Sequence, residues 1–198
     1  MHSHFSTSFY LGVFRPRHRQ SVRPRSGDKL IWRSTLVNDS VENVTLRPMT
    51  ETEFPAFKEQ FLADWASDIS RVDDISLTEA RKEAERRTET DFRAGLQGLD
   101  AKGHHLLVIE ANGTPVGNIW FSIQTESAFL DDITVAPQCR GRGYGGRALK
   151  LMEQELQRRG VSRVRLSVDA NNPRAIKLYK RYGYAITGYR MAKHVCEL

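Results

Sequence analysis

The stretch Asp131-Asp132-Ile133-Thr134-Val135-Ala136-Pro137-Gln138-Cys139-Arg140-Gly141-Arg142-Gly143-Tyr144-Gly145-Gly146-Arg147 reads as a strand, a turn and the opening of a helix. Four glycines within residues 141–146 remove the Cβ atoms that would hold a ligand off the backbone, and they permit the dihedrals that a cradle needs. Successive N–H groups at the positive end of a helix dipole point toward a diphosphate. Arg140, Arg142 and Arg147 add cationic charge. No Gly-Lys-Ser or Gly-Lys-Thr follows the glycines, which argues against a nucleotide triphosphatase loop. A dinucleotide fold sets its glycines after the first strand, with an acid about 20 residues on; here the loop follows the fourth predicted strand, and Val161 stands at that distance from Gly141.

Downstream of the loop, a helix over about 145–159 buries Ala148, Leu149, Met152 and Leu156 and ends at Gly160. A strand over 164–168, a helix over 173–182 and a last strand over 185–191 follow. The second of these helices obeys local rules, with Asn172 as cap, Pro173 at the first helical position and Gly183 closing it. Upstream, 129–135 is a strand, and 105–110 and 116–123 form a hairpin about the Asn112-Gly113 turn. A charged helix opens on the Ser76/Glu79 capping box and runs to about Gln97, with Leu77, Ala80, Ala84 and Phe92 as its apolar positions. Before it, Phe54, Phe57, Phe61 and Trp65 recur at helical spacing after a start signal from Thr50 with Glu53 or Thr52 with Pro55. These aromatics pack on a sheet, or some of them line a pocket. Val44, Thr45 and Leu46 make a first strand, ended by Pro48. The order β-α-α-β-β-β-α-β-α-β, with no internal repeat, predicts one mixed α/β sheet covered by helices.

The chain has 198 residues, 39% hydrophobic and 27% charged, with a net charge of +6. That composition fits a globular protein, and no apolar run approaches the ~20 residues of a spanning helix, so no membrane partner is expected. Residues 1–44 hold seven Lys and Arg against three acids, leaving 23 basic and 21 acidic residues in 45–198. The near-neutral remainder argues against nucleic acid as the partner of the core. Residues 1–43 read as a flexible basic extension, which could be passive, a transit peptide or a phosphate-gripping arm; residues 44–198 read as the domain. Cys139 and Cys196 are far apart and in no ligand spacing, which suits a reducing cytoplasm. His104 and His105 have no Cys or acid in ligand spacing, so no metal is expected.

Arg140-x-x-Gly143-x-Gly145 after a strand ending in Val135 and Pro137 resembles the coenzyme A loop of the Gcn5-related N-acetyltransferase superfamily. The segment from Val168 through Asn171-Asn172-Pro173-Arg174-Ala175 to Tyr179 and Tyr184 is similar to that superfamily's second block, at the expected distance. The resemblance is strong over 129–190 and weak before about residue 104. It implies the acyl-CoA N-acyltransferase fold, a twisted mixed sheet with helices on both faces. It also implies acetyl-CoA as co-substrate and an amine acceptor, small molecule or protein, in a monomer or homodimer.

By the same resemblance, the main chain of Ile133, Thr134 and Val135 pairs with the pantetheine arm. The diphosphate lies on the amides of Arg140, Gly141, Arg142, Gly143, Tyr144, Gly145 and Gly146. Asn172, Ala175 and Tyr179 face the coenzyme, with the Tyr179 hydroxyl near its sulfur as proton donor. Asp132 is the first candidate for the base that deprotonates the amine; Asp131 and Glu126 are weaker ones. Adjacent strand residues face opposite ways, so only one aspartate reaches the cleft unless a bulge intervenes. The acids Asp64, Asp68, Asp73 and Asp74 suggest a cationic acceptor, and a solvated helix face explains them as well. Two rival readings stay open: a silent acetyl-CoA-binding module, and a nucleic-acid binder using the basic arm.

Overall fold

Five strands form one sheet in the order β1-β2-β3-β4-β5: β1 Val44–Pro48, β2 His104–Ala111, β3 Thr114–Gln124, β4 Ser127–Val135 and β5 Arg163–Leu166. The computed structural model describes residues 43–189 and 191, so the basic extension falls almost wholly outside the described residues. The first four strands are antiparallel neighbours, and β5 runs parallel to β4. The sheet is therefore mixed. At the β2–β3 turn, Asn112 and Gly113 take φ of 49° and 77°, the left-handed pair that a two-residue hairpin of this hand requires.

Among the described residues, five α-helices cover the two faces: α1 Phe54–Asp73, α2 Leu77–Phe92, α3 Gly95–Ala101, α4 Tyr144–Arg158 and α5 Pro173–Arg181. Strand alternation divides the core. Leu107, Ile109, Ile119, Phe121, Leu130 and Ile133 meet Ala148, Leu149, Met152 and Leu156 of α4 and Ala175 and Tyr179 of α5. Leu106, Val108 and Trp120 meet Phe54, Phe57, Phe61 and Trp65 of α1 and Phe92 of α2. The aromatic stripe thus packs as its spacing predicts, with Phe61 and Trp120 edge to face at 5.2 Å between centroids. Thr50 donates from its N–H and hydroxyl to Glu53, which also pairs with Arg47, and α1 starts there. The capping box at Ser76 and Glu79 is formed in both directions.

Three expectations are corrected. The charged helix is not continuous to Gln97: Gly95 takes φ of 61° and begins a separate short helix, and Leu77 is exposed rather than part of the buried stripe. β5 stops at Leu166, two residues early, because Asp169 draws the chain toward α1 through Arg71 and accepts the Asn171 N–H at 2.8 Å. The last strand expected over 185–191 is absent among the described residues of that span. Gly188 interrupts its pattern, and no neighbouring strand pairs with it, so Ile186 and Tyr189 stay exposed.

Candidate active site

The register of β4 decides what reaches the cleft. Trp120 pairs with Asp132, but the next residue, Phe121, pairs with Leu130. Asp131 is thus the extra residue of a bulge. Leu130 and Ile133, three apart, both enter the α4 core, whereas a regular strand would send them to opposite faces. The bulge turns Asp131 and Asp132 together to the α1 face, the exception that the alternation rule allowed. Asp131 points to His104, whose Nδ1 lies 3.6 Å from its Oδ2 and accepts the Trp120 indole N–H at 3.1 Å. It is a buried partner of that histidine rather than a cleft group. Glu126 is exposed at the far end of β4, with its carbonyl accepting the Ser162 N–H, and it has no place in the site.

Asp132 lies in a small cleft walled by Phe57, Gln60, Phe61 and Asp64 of α1, Asn118 of β3 and Thr134 of β4. Its Oδ2 accepts the Thr134 hydroxyl at 3.1 Å. Its Oδ1 is buried and meets no hydrogen-bond donor among the described residues. Burial pushes the carboxyl up to about 8, opposed by Thr134 and aided by the charges of Asp64 and Asp131. A carboxyl so placed changes protonation near neutral pH, where a general base is most effective. The sequence pointed to Asp132 but missed Gln60 and Asn118. Gln60 sits at i+3 from Phe57 and i+4 before Asp64, on the same helical face, and Asn118 is a polar residue amid apolar β3; both signals were readable.

Tyr179 of α5 is 3% exposed. Its phenol is raised well above its usual value by burial first and by the charge of Asp132 second, so the two groups lie within electrostatic reach across β4. The phenol keeps its proton at neutral pH. Its ring stands edge to face with Tyr184 at 5.6 Å. Asn172 caps α5, accepting the Ala175 N–H on Oδ1 at 3.0 Å, and Ala175 is buried one turn below Tyr179.

β5 pairs with Ser127 to Leu130 only. From Asp131 to Val135 that side of β4 has no strand neighbour among the described residues, so an extended chain could lie along Ile133, Thr134 and Val135. Gly143 takes φ of 79° at the N-cap of α4, and no side chain caps that helix. As a glycine, the N-cap brings no side chain of its own to the first amides. A Cβ on Gly145 would sit 3.7 Å from Val135 and 3.9 Å from Ile133 and Leu178, in the wedge between β4 and α5. Gly146 answers to packing, since a Cβ there would come within 2.1 Å of the Tyr182 hydroxyl. Arg140 donates through Nε to the Val135 carbonyl at 3.0 Å. Arg147 bonds the Arg142 carbonyl at 2.7 Å and covers the buried ring of Tyr144. Arg140 thus ties the loop to the end of β4, and Arg147 braces the loop's own backbone.

The sequence profile of the acetyltransferase (GNAT) family matches residues 60–184. The chain belongs to that family. It is 29% identical over 158 residues to the N-acetyltransferase YdgE of Bacillus subtilis, covering 77% of this chain and 98% of the relative. It is 32% identical over 124 residues to thialysine N-epsilon-acetyltransferase of Bos taurus, covering 56% and 66%. Among solved structures, YycN from Bacillus subtilis aligns with a TM-score of 0.70 at 25% identity, over 78% of this chain and 99% of that one. PaiA N-acetyltransferase from Thermoplasma acidophilum, solved with coenzyme A, shares the fold with a TM-score of 0.60 at 16% identity, over 74% and 92%.

In this acetyltransferase, the open edge of β4, the uncapped start of α4 and the Asp132 cleft meet at one end of the sheet. No group of three or more metal-ligating side chains occurs among the described residues. No described helix is long and apolar enough to cross a membrane.

Proposed function

We propose that this chain transfers an acetyl group from acetyl-CoA directly to a primary amine, with Asp132 as the base and Tyr179 as the proton donor. The observation that carries the reading is the buried, half-satisfied Asp132 carboxylate, set within electrostatic reach of the Tyr179 phenol beside the open edge of β4. Coenzyme A in the PaiA neighbour and the N-epsilon specificity in the name of the bovine relative agree with it.

The thioester supplies an electrophilic carbonyl. Asp132 takes one proton from the arriving ammonium, and the freed lone pair forms the N–C bond. A main-chain N–H near Val135 faces the developing oxyanion. As the C–S bond breaks, its electron pair leaves on sulfur, and Tyr179 gives that sulfur its proton. The second proton shed by nitrogen passes to solvent, from which the phenol is restored. The amides of residues 140–146 and the α4 dipole hold the diphosphate, and Asn172 and Ala175 line the approach to the sulfur.

The reading is tested by thermal stabilisation with acetyl-CoA in the presence of a chelator, together with thiol release against a panel of amines. Stabilisation by the coenzyme and amine-dependent thiol release are expected. Stabilisation without release to any amine would favour the silent module, and no stabilisation at any concentration would reject the cradle.

A further inference from the structure

The cleft around Asp132 has a charge imbalance. Its two ionisable walls are Asp64 and Asp132, and no Lys or Arg among the described residues lines it. One turn further along α1, Asp68 is handled differently, since Arg71 bonds it at 3.0 Å and also reaches Asp169. Asp64 has no such cation among the described residues; the Gln60 amide donates to its Oδ1 at 2.9 Å. Phe57 and Phe61 line the same cleft, and aromatic rings attract ammonium groups. Asp132, whose buried Oδ1 meets no donor among the described residues, lines this same space.

We infer that the acceptor is a small dication, with Asp64 holding its non-reacting ammonium at the cleft mouth while the reacting amine faces Asp132. This rests on the acetyl-transfer reading for the fate of the second amine, but not for its binding. An anionic acceptor is disfavoured by the same two carboxylates, and a monoamine leaves Asp64 uncompensated. Asp64 is then a specificity-determining residue, distinct from the base. Gln60 positions it from one helical turn before.

Calorimetric titration of the full chain, saturated with coenzyme A at about pH 8, separates these cases. The probes are 1,3-diaminopropane, 1,4-diaminobutane and 1,5-diaminopentane, each against the monoamine of equal chain length. At least one diamine is expected to bind roughly 10-fold or more tightly than its monoamine, the usual worth of a hydrogen bond to a charged group. Asp64→Asn should abolish that advantage, and Asp64→Glu should retain most of it. Equal affinity of every pair, no diamine binding, or an advantage that survives in folded Asp64→Asn would overturn the inference. Thiol release is followed in parallel. Diamine selectivity without release would reject the acetyl-transfer reading alone, and release without diamine selectivity would reject the second-cation site alone.

Discussion

On the α4–α5 side of the sheet, the candidate coenzyme groups follow from neighbours in sequence. Gly143 opens α4, Asn172 caps α5, and Ala175 and Tyr179 stack one turn apart. On the α1–α2 side, the cleft proposed for the acceptor joins residues more than fifty positions apart, such as Asp64 with Asn118 and Asp132. The first region is specified by local rules and the second by packing. A shared coenzyme side with an individual acceptor side is the arrangement by which one fold serves different amines.

The contrast breaks most visibly at Tyr179, where the proposed chemistry and the coenzyme side meet. Tyr179→Phe keeps the ring and its contact with Tyr184 but removes the phenol. Turnover is expected to fall by ~10² to 10⁴, with coenzyme A affinity little changed. Steady-state thiol release and calorimetry on the same preparation check this, and full turnover in the Phe protein removes Tyr179 from the mechanism.

Asp132 sharpens the comparison from the acceptor side. Burial raises its carboxyl to about 8, above the unfolded value near 4, so the folded state holds this proton more tightly than the unfolded one. Its contribution to stability is full below about pH 4 and is lost as pH rises toward about 8. Asp132→Asn carries no such proton. Denaturant unfolding should therefore show the variant gaining on the wild type by a few kcal/mol across that window, at ~1.4 kcal/mol per unit. A constant difference with pH would mean that the carboxyl is not buried as described.

Two smaller effects belong to the coenzyme side alone. In Gly145→Ala the added Cβ enters the wedge between β4 and α5, where it meets only ordinary contacts at 3.7–3.9 Å. Coenzyme affinity should drop several-fold while Tm moves little, with one methyl group's worth of displaced contact, about 0.8 kcal/mol, as the scale. Gly143 is less suitable for this purpose, since its φ of 79° would strain an alanine with or without ligand. Asn172→Ala removes the α5 cap and should cost ~1 kcal/mol, or roughly 2–4 °C in Tm. An unchanged Tm would show that the cap bond is not formed in solution.

Most of the fold was legible because its signals are local. The Asn112-Gly113 turn, the Ser76/Glu79 box, the Phe54-to-Trp65 stripe and the cap of α5 all appear where spacing put them. The errors arose where tertiary contacts override the pattern. The left-handed Gly95 splits a charged helix, the tether of Asp169 to Arg71 shortens β5, and residues 185–189 alternate like a strand but find no ladder. Asp132 was legible as a candidate, but its orientation was not, because a bulge is a two-strand property. Arg140 and Arg147 read as added cationic charge on the loop, and in the structure they also bond backbone carbonyls, of Val135 at the end of β4 and of Arg142 in the loop.

Proton transfer from the acceptor amine to Asp132 is read out by the pH profile of kcat/KM for thiol release in wild type and Asp132→Asn. The wild type should rise with unit slope to a bend at about pH 8, set by Asp132, and decline above the acceptor's own pKa near 10. In Asp132→Asn the rate should be lower by ~10² to 10⁴ at neutral pH, with the rising limb moved up to the acceptor's pKa. An Asn variant with the wild-type rate and the same bend would contradict it.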